Sequence, residues 1–184
     1  MILLRSTIVK EVNAGNICIS PFDPKQLGSN SYDVRLSPTL LVYTAARLDS
    51  RLDNPTRTIE IPTTGFELVP GELYIGSTVE TAASKKYVPM FEGRSSMGRL
   101  GISTHQTAAF GDIFWAFDQE GNPTYATWTL ELSVIKPVIL YPNTRIGQVY
   151  FVMPDHEPEA DEHYQGKYST QVLPQASLSW LDKD

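Results

Sequence analysis

Two arginines, two serines and three glycines fall within residues 91–101, between apolar stretches that are typical of strands. Glycine lets backbone N–H groups come close to a ligand, and arginine offers permanently charged, bidentate contacts to phosphate oxygens. The segment therefore predicts a phosphate-binding loop. The alternative is an ordinary turn that exposes solvated arginines, because a single motif of this kind is only a hypothesis.

A carboxylate further along the chain is the second candidate for chemistry. Glu131 shares one face of a predicted strand with Thr129 and Ser133, while its two neighbouring leucines share the other face. If the polar face lines a pocket, Glu131 can accept and return protons during a reaction. If that face is open to solvent, Glu131 is an ordinary surface residue, and the pattern leaves both alternatives open.

Metal-dependent chemistry has little support in the sequence. His105 lies among polar residues, where a lone histidine is either catalytic or, more commonly, structural. The single cysteine, Cys18, excludes an intramolecular disulfide and a cysteine-rich zinc site. No P-loop and no Gly-x-Gly-x-x-Gly motif is present either. We therefore expect no metal ligands from the chain itself.

The overall charge also excludes some partners. The net charge of -6 argues against broad binding to nucleic acid or to an anionic membrane, because those surfaces require a basic stripe. The apolar part of the N-terminus is too short for a signal peptide, and no later run is long enough to cross a bilayer. The sequence therefore predicts a cytoplasmic protein whose anionic ligand, if any, is small.

Short alternating runs separated by turn residues dominate the chain after residue 39 and predict an all-β barrel or jelly-roll-like sandwich. Before them, Ser6 and Thr7 are expected to cap a short helix that Gly15 ends. Residues 138–141 and 146–152 are expected to form a closing hairpin. We expect one domain over residues 1–184, in which the acidic segment 154–184 is a tail that is either mobile or a lid.

Several motifs, taken in order, carry a resemblance to a known family. They are Arg94-Ser95-Ser96-Met97-Gly98-Arg99-Leu100-Gly101, Thr107-Ala108, Asp112, Thr129-Leu130-Glu131-Leu132 and Ile146-Gly147-Gln148. In this order they resemble the dCTP deaminase family, which belongs to the same superfamily as the trimeric dUTPases. Residues 21–23 and 31–36, with Lys167, Tyr168 and Gln171 near the end, extend the resemblance over nearly the whole chain.

The resemblance implies a distorted β-barrel or jelly-roll-like fold and a homotrimer with active sites between subunits. It implies hydrolysis at C4 of the cytosine of dCTP, which gives dUTP and ammonia, with magnesium bound through the triphosphate. The chain lacks the His-x-Glu and Pro-Cys-x-x-Cys pattern of the zinc-dependent deaminases, so we expect this reaction to proceed without zinc-bound hydroxide.

The resemblance also assigns roles to individual residues. Glu131 would be the catalytic acid and base, and Ser95 with the backbone carbonyl of Ala108 would hold the attacking water. Arg99 would support both the catalytic geometry and the phosphates. The remaining substrate contacts would come from Arg94, Ser95 and Ser96 to the triphosphate, Asp112 to the sugar 3′-hydroxyl, Thr129 beside Glu131, and Lys167 and Gln171 from the tail.

Two segments depart from the family pattern, and both lie near the expected base and sugar contacts. After Asp112 the family usually has Pro-Gly, an aromatic, a small residue and Gly, whereas residues 113–117 here include Phe114 where glycine is usual, which would redirect the backbone. Residues 118–123 look like an insertion, and Tyr164 is a candidate for a displaced tail tyrosine. The alternatives are therefore a deaminase for a modified dCTP, a dUTP diphosphatase or bifunctional enzyme, and a non-catalytic nucleotide-binding protein.

Overall fold

The computed structural model describes residues 1–107 and 109–182. Two short α-helices are present, α1 (Arg5–Asn13) and α2 (Ser95–Arg99), with single 3-10 turns at Pro24–Gln26, Ala160–Glu162 and Ser179–Leu181. The strands are β1 (Ile17–Ser20), β2 (Tyr32–Arg35), β3 (Thr39–Tyr43), β4 (Thr56–Glu60), β5 (Phe66–Leu68), β6 (Tyr74–Ser77), β7 (Thr81–Ser84), β8 (Val88–Gly93), β9 (Ile102–Ser103), β10 (Thr129–Val134), β11 (Val138–Leu140) and β12 (Arg145–Val152).

The strands pair in an antiparallel manner into four sheets. The largest has the order β4-β3-β6-β10-β9, a second has the order β2-β12-β8, and two small sheets pair β1 with β7 and β5 with β11. The all-β class and the short N-terminal helix are confirmed. Across the described residues the four sheets do not join into a closed barrel, so the jelly-roll-like description fits better.

The alternation in β10 determines which side chains enter the core. Leu130 and Leu132 are buried in the main hydrophobic cluster, and each buried leucine contributes about 1.5–3 kcal/mol relative to exposure. Because side chains alternate along a strand, Glu131 points to the opposite face. β10 is also paired on both sides, with β6 opposite Glu131 and β9 opposite Ser133, so its backbone is held firmly.

The N-terminal helix differs from expectation at its start. It begins at Arg5, and its N-cap is Leu4, so the expected capping by Ser6 and Thr7 is wrong. The guanidinium of Arg5 instead donates to the carbonyl of Gly28, with an Nε–O distance of 2.9 Å. At the other end Gly15 has a φ of +73°, which glycine adopts without strain and which ends the helix as expected.

The expected closing hairpin is also wrong, although its turn exists. β11 pairs with β5, and β12 lies between β2 and β8, so the two strands do not pair with each other. Asn143 has a φ of +63°, and its backbone N–H donates to the carbonyl of Leu36 at 2.9 Å. The turn therefore carries the chain from one sheet into another.

The tail after β12 packs on the body of the protein at several points. The N–H of Tyr164 donates to the carbonyl of Ile113 at 3.1 Å. The carbonyl of Gln171 accepts a bond of 2.8 Å from the N–H of Thr127, just before β10. These contacts at Tyr164 and Gln171 hold the tail next to the face of β10 that carries Glu131.

The start of the tail contains a histidine between two carboxylates. His156 Nδ1 lies 2.9 Å from Asp155, and its Nε2 lies 3.2 Å from Glu162. The hydrogen bond to Asp155, followed by the charge of Glu162, raises the pKa of His156 above its ordinary value of 6.5. A raised pKa in the folded state means that this cluster stabilises the tail below pH 6.5 and loses that effect as the pH rises through the folded pKa.

We expect the NMR titration midpoint of His156 to lie above 6.5. Replacing Asp155 with asparagine removes the larger cause and should move the midpoint back towards that value. Asp118→Asn is a control, since it removes an exposed carboxylate outside the cluster. A midpoint below 6.5 in the unaltered protein would contradict the expectation.

Candidate active site

A cavity of about 410 Å³ opens between the five-stranded sheet and the tail. Its volume falls in the range of small-molecule sites, which are generally concave and largely apolar with a few polar groups. The residues that line it are Tyr43, Leu73, Ile75, Phe110, Gly111, Asp112, Trp115, Trp128, Thr129, Glu131, Tyr164, Tyr168, Gln171, Gln175 and Ser177. Four of the predicted site residues, those at positions 112, 129, 131 and 171, are therefore brought together.

Glu131 lies on the cavity wall and is half-buried. Its Oε2 accepts a hydrogen bond of 3.1 Å from the backbone N–H of Gln106. The side-chain amide of Gln106 donates to the carbonyl of Glu131 at 3.4 Å and to Oγ of Ser133 at 3.0 Å. The carboxylate thus faces the cavity while one of its oxygens is held from the side.

The other predicted residues on the wall are held by the tail. Thr129 Oγ1 accepts a bond of 3.4 Å from the N–H of Gln175. Gln171 donates from Nε2 to the carbonyl of Thr127 at 3.1 Å, and its buried Oε1 has no partner among the described residues. Burial, followed by the nearby charge of Asp112, raises the pKa of Tyr164 above its ordinary value.

The segment that departs from the family pattern forms a tight turn beside the cavity. Phe114 and Ala116 have φ values of +66° and +63°, in the left-handed region that glycine favours. The phenylalanine ring stacks on the ring of His163, with 3.4 Å between centroids. Phe114 therefore adopts a backbone conformation that glycine takes more readily, and its ring is held there by stacking on His163.

The inserted segment is a compact surface turn. The carboxylate of Asp118 accepts bonds from the N–H groups of Glu120 and Asn122 at 2.9 and 2.8 Å. The bond from Asn122 is the main reason that the pKa of Asp118 lies below its ordinary value. Lys85 Nζ lies 5.7 Å from the ring centre of Phe117, next to this turn. The insertion is thus anchored outside the cavity wall.

The arginine-bearing segment differs from the expected glycine-rich loop. Residues 95–99 form α2, a helix of five residues, and both Ser95 and Arg99 are exposed. Arg94 Nε pairs with Oδ1 of Asp33 at 3.2 Å, and Arg145 holds the other oxygen at 3.3 Å. Among the residues that the structure describes, none from 94–99 lines the cavity of the same chain. One chain therefore does not bring Glu131 and Ser95 together.

Three further candidates have their own outcomes. Lys167 Nζ is 2.5 Å from Asp182 and donates to the carbonyl of Leu178 at 3.1 Å, so it does not line the cavity here. Ala108, expected to hold water through its carbonyl, lies outside the described residues. His105 packs its ring edgewise on Phe91, with 5.9 Å between centroids, and its buried Nδ1 has no partner among the described residues.

Several cavity residues were missed by reasoning from the sequence. Tyr43 ends β3, and its hydroxyl accepts a bond of 3.0 Å from the N–H of Ser177. Trp128 stacks on Phe91 with 5.9 Å between centroids. Tyr43 could have been found, because it is the last residue of a predicted strand and precedes a turn. The tail residues could not, because they have no periodicity that predicts where they pack.

Comparison with known proteins identifies the family. The profile of the family described as dCTP deaminase-like matches residues 2–153. The chain belongs to the dCTP deaminase-like family. This confirms both the resemblance inferred from the motifs and the expectation of an enzyme.

Relatives in this family align over nearly the whole chain. A protein of Clostridium beijerinckii named dCTP deaminase, dUMP-forming, is 44% identical over 182 residues, covering 99% of this chain and 98% of its own. Proteins with the same name are 41% identical in Hathewaya histolytica, over 99% of both chains, and 42% identical in Leptospira biflexa, over 99% of this chain and 98% of its own. The product in these names is dUMP, which differs from the dUTP of the leading expectation and agrees with the bifunctional alternative.

A solved structure supports the fold of this dCTP deaminase-like chain. The crystal structure of 2′-deoxycytidine 5′-triphosphate deaminase from Agrobacterium tumefaciens superposes with a TM-score of 0.58 at 20% identity. The match covers 83% of this chain and 48% of that one, so this chain spans about half the length of that neighbour. At this identity the similarity is one of fold.

Two negative findings concern metals and membranes. Within residues 1–107 and 109–182, no three His, Cys, Asp or Glu side chains cluster in a way that could hold a metal ion. No helix in the described part of this dCTP deaminase-like chain has the length and apolar character needed to span a bilayer.

Proposed function

We propose that the protein removes the 4-amino group of dCTP by hydrolysis and then cleaves the resulting dUTP to dUMP and pyrophosphate. The observation that carries the proposal is the placement of Glu131 on the wall of a cavity of about 410 Å³. The names of relatives with 41–44% identity over nearly the whole chain supply the substrate and the product. A pure dUTP diphosphatase has no amine to remove and no evident need for a carboxylate beside C4.

In the deamination step, Glu131 takes a proton from water as the water oxygen attacks C4. It returns that proton to N3 of the ring, which gives a tetrahedral intermediate with a hydroxyl and an amino group on C4. Glu131 then moves the proton of that hydroxyl to the amino group, so the C4–N bond breaks, C4=O forms and ammonia leaves. One carboxylate can serve in both directions if it lies within reach of both the water and the ring edge. Positioned proton transfer of this kind contributes about 10²–10⁴ in rate.

The remaining substrate contacts come from two subunits of a homotrimer. The cavity of one subunit supplies Glu131, Thr129 and Asp112, and the segment 94–99 of a neighbour supplies Arg94, Ser95, Ser96 and Arg99 for the triphosphate. This arrangement is supported by the exposure of Arg99 and by the finding that no described residue of 94–99 lines the cavity of its own chain. Ser95 and the carbonyl of Ala108 hold the attacking water. The entropy cost of positioning that water is therefore not part of the reaction barrier.

In the second step, a water molecule attacks the α-phosphorus of dUTP, and pyrophosphate leaves. Asp112 is an exposed carboxylate at the cavity and is the candidate base for this water, besides contacting the sugar 3′-hydroxyl. Magnesium accompanies the triphosphate and offsets its charge. The phosphate oxygens of the nucleotide would supply its ligands.

The tail, within the single domain of residues 1–184, acts as a lid over the bound nucleotide. Gln171 already lines the cavity, and its buried Oε1 has no partner among the described residues, so a small shift of the tail would let it bond to the nucleotide. Lys167 exchanges its pairing with Asp182 for the phosphates when the nucleotide binds. The enzyme then acts in the cytoplasm, on a nucleotide and not on nucleic acid.

Separate incubations with dCTP and dUTP test the proposed function. We expect ammonia, pyrophosphate and dUMP from dCTP, and dUMP from dUTP. Accumulation of dUTP would mean a deaminase without the second step, and dUMP from dUTP alone would mean a diphosphatase. Binding without turnover would indicate a non-catalytic protein, and faster turnover of 5-methyl-dCTP would indicate a modified substrate.

The metal requirement is tested on the same reactions. After removal of metals with a chelator, we expect Mg²⁺ alone to restore full activity. Restoration by Zn²⁺ but not by Mg²⁺ would contradict the proposed mechanism.

A further inference from the structure

The segment that follows β9 crosses the strand that carries Glu131. Gln106 makes three hydrogen bonds there: its backbone N–H reaches Oε2 of Glu131 at 3.1 Å, and its side-chain amide reaches Oγ of Ser133 at 3.0 Å and the carbonyl of Glu131 at 3.4 Å. The side-chain bonds thus hold Gln106 against β10, and the backbone N–H of Gln106 in turn holds the carboxylate of Glu131.

This arrangement removes the last freedom of the proposed base. The backbone of Glu131 is held by the pairing of β10 with β6 at Ile75, and the pairing of β10 with β9 begins two residues later at Ser133. The main freedom left to Glu131 is therefore in its side-chain torsions. Holding Oε2 selects one orientation of the carboxylate. The loss of side-chain entropy that this requires occurs on folding, before the substrate binds. No donor within residues 1–107 and 109–182 bonds to Oε1, so that oxygen can face the ligand.

We propose that Gln106 is a positioning residue for the deamination step and acts through Glu131. The inference rests on the proposed function, because it takes Glu131 to be the base. Gln106 itself does not line the cavity, so it affects the reacting carboxylate and not substrate binding. Two N–H donors on one amide are needed to reach Ser133 and the carbonyl of Glu131 together, which an apolar side chain at this position cannot supply.

Steady-state kinetics on dCTP test this role. For Gln106→Ala we expect kcat to fall about 10-fold while KM stays within about 2-fold, because only the orientation of the base changes. For Ser133→Ala we expect a smaller fall in kcat, and the double variant should be no slower than Gln106→Ala alone, because both changes break the same bond. Full additivity, or a rise in KM with unchanged kcat, would overturn the proposal.

Ser103→Ala is the matched control. It removes a hydroxyl at the end of β9 that donates to the carbonyl of His105 at 3.0 Å, at the start of the segment that carries Gln106, and that makes no bond to Glu131. We expect its kcat to match that of the unaltered enzyme. If kcat falls as much in Ser103→Ala as in Gln106→Ala, Gln106 only stabilises the segment in general, and its specific role is overturned.

A readout without turnover separates this inference from the proposed function. The NMR signal of the Gln106 backbone amide should lie downfield because it bonds to a carboxylate, and Ser133→Ala should move it upfield. An unshifted signal in Ser133→Ala would overturn the anchoring itself. Failure of the unaltered protein to deaminate dCTP, with the amide shift intact, would instead count against the proposed function.

Discussion

Replacement of Glu131 by glutamine should lower the rate of dCTP deamination by about 10²–10⁴-fold while leaving dCTP affinity largely intact. The amide keeps the size and shape of the side chain on the cavity wall, and its Oε1 can still accept the bond from the N–H of Gln106. It cannot take a proton from water and return it to the ring. Ammonia release measures the rate, and calorimetric titration with dCTP measures the affinity.

The control for this variant is Glu67→Gln, the same change on an exposed position of β5. It should leave both the rate and the affinity unaltered. Undiminished ammonia release from Glu131→Gln would remove the mechanism. A loss of dCTP affinity equal to the loss of rate would instead mean that the carboxylate binds the ground state and does not move protons.

The second large effect is expected at the arginine-bearing helix. Arg99→Ala should weaken binding of dCTP by about 10–100-fold, because charge-assisted hydrogen bonds to phosphate contribute about 1.5–3 kcal/mol each. Binding of deoxycytidine, which has no phosphates, should change little. Arg94→Ala should act in the same direction but is a less clean test, because Arg94 also pairs with Asp33 at 3.2 Å.

Arg57→Ala is the matched control, since it removes an exposed arginine from β4. Equal losses for dCTP and deoxycytidine in Arg99→Ala would mean that the triphosphate lies elsewhere. Equal losses in Arg57→Ala would mean that only the overall charge matters.

The same variant tests whether the site is shared between subunits. Glu131→Gln and Arg99→Ala are purified separately, mixed in equal amounts, unfolded and refolded together, and assayed at low dCTP. If the two residues come from neighbouring subunits of a trimer, about a quarter of the sites in random hybrids hold both intact side chains. If they come from one subunit, mixing restores no activity.

The sequence predicted β10 and its two faces correctly because alternation is a local property. Leu130 and Leu132 enter the core as expected, and Glu131 lies on the cavity wall. The strand before the arginine-bearing segment was also predicted, and β8 confirms it. β7 was missed, because its sequence Thr-Ala-Ala-Ser offers only small side chains.

Pairing between strands was the harder problem because it depends on distant partners. A turn at Asn143 predicted a local hairpin, but β12 is taken up by β2 and β8 from earlier in the chain. Motif order indicated the correct family, yet it could not show that α2 lies away from the cavity of its own chain. Nor could it predict that Tyr43 anchors the tail, because both depend on tertiary packing.

The turn beside the cavity gives the protein a built-in optical probe. The indole N–H of Trp115 donates to the carbonyl of Tyr168 at 3.0 Å, and its ring packs on Trp128 with 5.1 Å between centroids. Both indoles line the cavity, so a nucleotide that enters it or shifts the tail changes their surroundings. Tryptophan fluorescence should therefore follow ligand entry in real time, without a label and even in a variant that no longer turns over.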